Sequence, residues 1–222
     1  MRIAVVPAYN EEDCVARTVR SLTGLGFFDR VFVIDDGSGD LTAREAAAAG
    51  ATVMVNGRNL GKGGSLNRIL GILDFDELLL LDADVAGTAS LAGSLVEEVF
   101  SGRCDMAIAA FPPPETNGGF GIAQGTGRAV IDALSGRLMA SPLSGQRAMT
   151  REAFEKVFPF DEGFGMEVGM TLDGLYGGLR IVEVPARMTH RETARSLAGF
   201  IHRGRQFKDI VRAALVRTWR SA

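Results

Sequence analysis

Three acidic clusters hold most of the chemistry this sequence can offer. Pro7-Ala8-Tyr9-Asn10-Glu11-Glu12 follows the apolar run Ile3–Val6, Asp35-Asp36-Gly37-Ser38-Gly39-Asp40 follows Val31–Ile34, and Asp82-Ala83-Asp84 follows Glu77–Leu81. Two carboxylates at i and i+2 can turn toward one hard cation, Mg2+ or Mn2+, which prefers oxygen ligands and keeps positions open for diphosphate oxygens. A lone D-x-D is weak evidence, and a second copy, Asp74-Phe75-Asp76, stands in the chain. That copy precedes its apolar run, whereas Asp82 and Asp84 follow theirs, so position separates the two. Lys62, between Gly61 and Gly63, can reach a phosphate while the glycines let backbone come close. Asp36 offers an acceptor to a nucleobase or ribose, and Tyr9 with the Pro7–Ala8 backbone offers a surface for a base. Each has a plainer counterpart: Asp35 and Asp36 as turn or cap residues, Lys62 as a solvated loop charge.

Strands alternating with helices must position these clusters. Ile3–Pro7, Val31–Ile34, Thr52–Val55, Glu77–Leu81 and Met106–Phe111 read as strands. The segments between them, Glu11–Leu25, Leu41–Ala49, Ser65–Leu73 and Leu91–Phe100, read as helices, with Val15, Val19 and Leu22 at helical spacing in the first. This rhythm predicts a doubly wound, mostly parallel α/β sheet, in which ligands bind beyond the carboxyl ends of the strands. All three acidic clusters should meet on that edge. After Phe111 the rhythm breaks at Pro112-Pro113-Pro114, and residues 112–121 read as a loop fit to order as a lid when a ligand binds. Helices are expected over Ile122–Leu138, Arg151–Val157 and Met166–Tyr176, a last strand over Arg180–Val184, and a long amphipathic helix over Leu197–Trp219 with Ala214 and Leu215 on its apolar side.

With 46% hydrophobic and 23% charged residues among 222, the chain has a globular composition. No apolar run approaches the ~18 residues of a membrane span. The N-terminal apolar stretch is too short for a signal peptide. Cys14 and Cys104 lack C-x-x-C spacing, so a reducing, cytoplasmic setting is expected. The net charge is −3, yet residues 187–222 carry nine Lys+Arg against two acidic residues; their +7 leaves −10 on residues 1–186. An acidic body suited to metal with a basic tail points to phosphate, or to docking on the inner face of a membrane. A helix packed on the body accounts for the same tail equally well. No RRM-like or KH-like motif supports nucleic-acid binding. There is no G-x-G-x-x-G after the first strand, no P-loop spacing and no zinc-finger spacing.

Taken together, Val6-Pro7-Ala8-Tyr9-Asn10-Glu11-Glu12, Val33-Ile34-Asp35-Asp36-Gly37-Ser38-Gly39-Asp40, Asn59-Leu60-Gly61-Lys62-Gly63 and Leu81-Asp82-Ala83-Asp84 resemble the family-2 type of nucleotide-sugar glycosyltransferases with the GT-A fold. The resemblance covers residues 1–110. More loosely, Ser144-Gly145-Gln146-Arg147-Ala148 and Gly163-Phe164-Gly165-Met166-Glu167 are similar to segments of non-processive members, including polyprenyl-phosphate sugar synthases. The processive Q-x-x-R-W is missing.

The resemblance implies a Rossmann-like GT-A domain over residues 1–190, with a nucleotide-sugar half (1–110) and an acceptor half (111–190), followed by a basic helical extension over 191–222. It implies a metal-dependent transfer of one sugar from a nucleoside-diphosphate sugar to an acceptor such as a polyprenyl phosphate or a small phosphorylated molecule. Pro7, Ala8, Tyr9, Glu11, Asp36, Lys62 and Asp82 would bind the donor, and Asp82, Asp84 and His190 would hold Mg2+ or Mn2+. Glu167 and Asp161 are the base candidates; for a phosphate acceptor, already ionised, no base is needed and Arg147 and Arg191 would clamp it. A sugar-phosphate nucleotidylyltransferase is the closest alternative enzyme, although Ala8-Tyr9-Asn10-Glu11 lacks the basic Gly-rich loop it needs. A non-catalytic nucleotide-sugar-binding or membrane-associated protein is the alternative from another class.

Overall fold

The structure is a computed structural model that describes residues 1–111, 120–163, 165–188, 209 and 212–217. Seven strands, β1 (Arg2–Ala8), β2 (Arg30–Asp35), β3 (Thr52–Val55), β4 (Glu77–Leu80), β5 (Met106–Ala110), β6 (Arg147–Thr150) and β7 (Ile181–Pro185), form one sheet in the order β3-β2-β1-β4-β6-β5-β7. The side-chain period of two along each strand divides the apolar residues between two layers. Ile3, Val5, Phe32, Ile34, Leu78 and Leu80 pack on one face against Leu66, Ile69 and Leu70 of α3 (Gly61–Leu70), Phe154 of α6 (Arg151–Val157) and Met166 and Met170 of α7 (Gly165–Tyr176). Ala4, Val6, Val31, Val33, Leu79 and Leu81 pack on the other against Val15, Val19 and Leu22 of α1 (Val15–Gly24) and Leu95, Val96 and Val99 of α4 (Gly93–Phe100). Each fully buried Leu, Ile or Val contributes about 1.5–3 kcal/mol, so these two layers dominate stability.

The expected sheet is present, with one addition. β1 pairs in parallel with β2 and β4, and β2 with β3, as the βαβ rhythm requires. β6 runs antiparallel between β4 and β5, and β7 closes the edge parallel to β5. Four residues opening on an arginine carry no period-two signal, which is why β6 is not legible in the sequence. Its register pairs Leu80 with Arg147, so the residues entering β6, Gly145 and Gln146, arrive beside the carboxyl end of β4.

Several helix boundaries differ from those read in the sequence. α1 starts at Val15 rather than at Glu11, after a turn in which Cys14 N donates to Glu11 O at 3.0 Å; ahead of it the backbone N–H of Glu11 donates to Thr42 Oγ1 at 2.8 Å and that of Asn10 to Ser38 Oγ at 2.9 Å. α2 spans Thr42–Ala48. α3 starts within the Gly-rich loop, at Gly61, and α5 covers Phe120–Ser135. The segment Ala83–Ala92, ahead of α4, consists of two short 3-10 pieces separated by a kink at Ala86, whose φ is +47. Thr150 caps α6, its Oγ1 accepting from Ala153 N at 3.1 Å.

Residues 212–217 are helical and lie on the body, with Ala213, Ala214 and Arg217 buried. Leu215, expected beside Ala214 on the apolar side, faces outward at 57% exposure. The rest of the expected tail helix and most of the Pro112–Gly121 lid segment lie outside the described residues. Among the described residues no helix is long and apolar enough to cross a membrane.

Candidate active site

Parallel pairing lines up the carboxyl ends of β1, β2 and β3, with Ala8 opposite Asp35 and Asp35 opposite Val55. The backbone N–H of Leu81 donates to Val5 O at 3.1 Å, which brings Asp82 to the same edge. The competing pair lies at the opposite end: Asp76 binds the N-terminal amine, and its backbone N–H donates to Met1 O.

The β1 and β2 loops form a cross-linked rim. Asn10 Oδ1 accepts from Gly39 N at 2.9 Å, Glu12 Oε2 from Leu41 N at 2.9 Å, and Asp35 Oδ1 from Ser38 N at 3.0 Å. Pro7 is half-buried and Ala8 buried, and Glu11 is half-buried. Tyr9 leaves this rim with half its surface open, a free aromatic face at the mouth.

Asp36 is turned toward the Lys62 loop. Its Oδ1 accepts from Asn56 Nδ2 and Leu60 N, each at 2.9 Å, and its Oδ2 from Gly61 N at 2.8 Å. Only 3% exposed, this carboxylate acts as the cap at the start of α3. That use differs from the direct base contact expected from sequence. Gly61 has φ +76, the left-handed backbone that lets its N–H reach Asp36.

The loop so fixed aims Lys62 at the end of β4. Its Nζ lies 2.7 Å from Asp82 Oδ1 and 3.1 Å from Glu167 Oε1, joining the carboxyl end of β4 to the first turn of α7. Burial opposes the charge of Lys62, yet the two carboxylates outweigh it and hold its pKa above the ordinary lysine value. The second oxygen of Asp82 accepts from Gln146 Nε2 at 2.7 Å, and Gln146 is wholly buried. A Cβ on Gly145 would overlap the Lys62 ammonium and stand 3.0 Å from Asp82 Oδ2. Asp84, half-buried, lies in the first turn of the segment that begins at Ala83.

Arg147 does not take the acceptor-clamp position expected of it. It is wholly buried. Nε donates to Ser144 O at 2.9 Å, Nη1 to Thr171 Oγ1 at 3.0 Å, and Nη2 to Glu167 O at 2.9 Å and Pro142 O at 3.1 Å. Burial brings its guanidinium down to about 10, against the opposing charges of Glu167 and Glu183. A buried donor fork spent on carbonyls fixes where α7 begins, and with it Glu167.

Asp161 stands apart from that cluster, with its carboxylate on Arg217 at 2.6 Å. Its backbone carbonyl presses on α3 at Gly63, where a Cβ would collide with it. His190 and Arg191 lie outside the described residues. Sequence reasoning missed Gln146, Asn56 and Arg217. No periodicity or motif singles them out, because each owes its place to a pairing between distant segments.

The family model for glycosyl transferase family 2 matches residues 3–158. Glucosyl-3-phosphoglycerate synthase from Mycolicibacterium smegmatis is 32% identical over 189 residues, 76% of this chain and 62% of that protein. Glycosyltransferase AglJ from Haloferax volcanii is 29% identical over 82% of this chain and 60% of its own length. The chain thus spans about three fifths of the length of the curated relatives it matches. In three dimensions it resembles glucosyl-3-phosphoglycerate synthase from Mycobacterium tuberculosis, solved with Mn2+, UDP and glucosyl-3-phosphoglycerate, with TM-score 0.82 and 26% identity over 98% of this chain and 79% of that one. The same enzyme has been solved with Mg2+ and UDP. The mostly parallel sheet is that of a GT-A glycosyltransferase, and the chain belongs to glycosyl transferase family 2.

Proposed function

We propose that this protein is a metal-dependent glycosyltransferase that moves one sugar from a nucleoside-diphosphate sugar, UDP-glucose by similarity to its relatives, to a small phosphorylated acceptor. The observation that carries this reading is the Lys62 ammonium held between Asp82 and Glu167. That contact joins the edge where α/β sheets bind nucleotides to the segment leading the acceptor half. In this reading residues 1–110 serve the donor and 111–190 the acceptor.

Tyr9 and the Pro7–Ala8 backbone carry the base, Glu11 belongs to the same rim, and Asp36 acts indirectly by holding the Leu60–Gly61 turn that presents Lys62. Lys62 supplies positive charge to the diphosphate, where an ammonium in a partly dry site gives more than it does in water. Asp82 and Asp84 are oxygen donors two residues apart at the strand end, a set that suits Mg2+ or Mn2+, and His190 is proposed as their further ligand. When bound, the ion stabilises negative charge on the departing diphosphate. Gln146 keeps Asp82 in place while Lys62 exchanges partners. Glu167 faces the acceptor hydroxyl, and Arg147 holds Glu167 from behind through its backbone carbonyl.

The basic tail supports a second acceptor, a polyprenyl phosphate at a membrane surface, through the arginines among residues 191–212. Against it stands Arg217, which is turned into the body. The test is product formation from UDP-glucose and Mn2+ with 3-phosphoglycerate, or with polyprenyl phosphate in micelles, read by mass spectrometry. A hexosylated 3-phosphoglycerate supports the reading, a hexosylated lipid moves it to the second acceptor, and no donor consumption from folded protein overturns it.

A further inference from the structure

Among the described tail residues Arg217 is the one charged side chain that is buried, at 4% exposure, beside the buried Ala213 and Ala214. Its Nη1 binds Asp161 Oδ2 at 2.6 Å, its Nε binds Asp173 Oδ1 at 2.8 Å, and Nη2 binds the other oxygen of Asp173. Asp161 and Asp173 lie on either side of the α7 turn that begins at Gly165 and holds Glu167. Gly169, between them, leaves no space for a side chain: a Cβ there would meet the Asp161 carboxylate and stand 2.7 Å from Arg217 Nη2. The segment before α7 is tied to α3 as well. Asn67 Nδ2 donates to Phe160 O and Asn67 Oδ1 accepts from Phe160 N, both at 2.8 Å, and Gly63, next to Lys62, packs directly on the Asp161 carbonyl.

We infer that Arg217 is a positioning residue for the transfer reaction, through which the C-terminal helix sets the distance between Lys62 on α3 and Glu167 on α7. The inference rests on the function proposed above. Two half-buried carboxylates on neighbouring segments repel each other unless a cation sits between them. A guanidinium fills that place with directed bonds, so the 160–173 segment stays closed on α3 only while the tail is docked. The hydrogen bonds described for Arg217 run to Asp161, Asp173 and Ala213, all on the acceptor side of the sheet edge, so the consequence is expected there.

The expected signature is a split. Arg217→Gln should lower kcat about tenfold, while the affinity for UDP with Mn2+ stays within twofold of the parent. Arg217→Lys should recover part of kcat, since one ammonium reaches one carboxylate but not both. Because Arg217→Gln leaves two charges unpaired and can unfold the chain, the neutral triple variant D161N/D173N/R217M serves as the second test; it loses the directed bonds without leaving two charges to repel, so it should fold and show the same split to a smaller degree. Hydrogen exchange of the full chain gives a readout independent of turnover, and both variants should exchange faster at 160–170 with residues 31–35 unchanged. Parent-like exchange at 160–170 in folded variants overturns the inference whether or not any donor is consumed. So does an equal loss of kcat and UDP affinity. Absence of turnover in the parent alone would instead count against the proposed function.

Discussion

Replacing Lys62 by Met probes the structure and chemistry of the site together. Its ammonium stands 2.7 Å from Asp82 and 3.1 Å from Glu167, with side chains 28%, 29% and 11% exposed respectively. At about 3 Å and an effective dielectric constant of about 20, each attraction is on the order of 5 kcal/mol. Desolvation of three charges cancels most of this, and the solvent reaching Lys62 and Asp82 weakens the rest, leaving a net of about 1–2 kcal/mol. For a chain of this size that is a fall of a few degrees in Tm. The loss for ligand should be larger, since a charge-assisted hydrogen bond to phosphate is worth about 1.5–3 kcal/mol, or roughly 10- to 100-fold in UDP affinity. Mn2+ alone should bind Lys62→Met at least as well as the parent, because the ammonium neutralising Asp82 is gone. Lys62→Arg should not restore UDP binding, as the Gly145 backbone closes the space a guanidinium would need. Calorimetric titration of UDP and Mn2+, separately and together, with a thermal melt, reads every arm. Parent-like UDP affinity in a folded Lys62→Met protein would refute the placement of the diphosphate at this ammonium.

Three shorter tests address the supporting structure. Gly63→Ala should cost about 1–3 kcal/mol in denaturant unfolding, because its Cβ meets the Asp161 carbonyl, which is backbone and cannot turn aside. Arg147→Lys should cost about 2–4 kcal/mol, as one ammonium cannot serve the carbonyls of Ser144, Pro142 and Glu167 together; unchanged stability would argue that the fork is dispensable. Burial pushes the Cys104 thiol up to about 11, so in native protein at pH 8 it should resist iodoacetamide and react only on unfolding. The folded state holds that proton more tightly than the unfolded state does. Its contribution is therefore complete below the ordinary thiol range and lost as the pH rises toward 11.

Much of the sheet edge where β1, β2 and β4 end was legible because it is local. Apolar runs of four or five residues ending in Asp, Gly or Pro fix β1, β2 and β4 and place Asp36, Asp82 and Asp84 at their ends. The rule for parallel sheets then gathers those ends and sets Asp74-Phe75-Asp76 aside. What was not legible depends on the partner across space. Arg147 stands in a segment that reads as an acceptor contact, yet the antiparallel insertion of β6 turns it into the core. Asp36 reads as a base-binding carboxylate, but two N–H groups of a loop more than twenty residues away claim it. Arg217 looks like one more solvated arginine in a basic tail, and only the docking of that tail shows Asp161 and Asp173 as its partners.

The central claim, that a nucleoside diphosphate and a divalent ion bind together where β1, β2 and β4 end, is tested most directly by a thermal-shift panel of UDP-, GDP-, dTDP- and CDP-linked sugars. Each would be measured with and without Mn2+, on the parent protein and on Asp84→Ala. The expected result is a shift for UDP-glucose that requires Mn2+ and disappears in Asp84→Ala while the apo melting temperature is retained. No shift with any donor from folded parent protein, or an undiminished metal-dependent shift in Asp84→Ala, would contradict it.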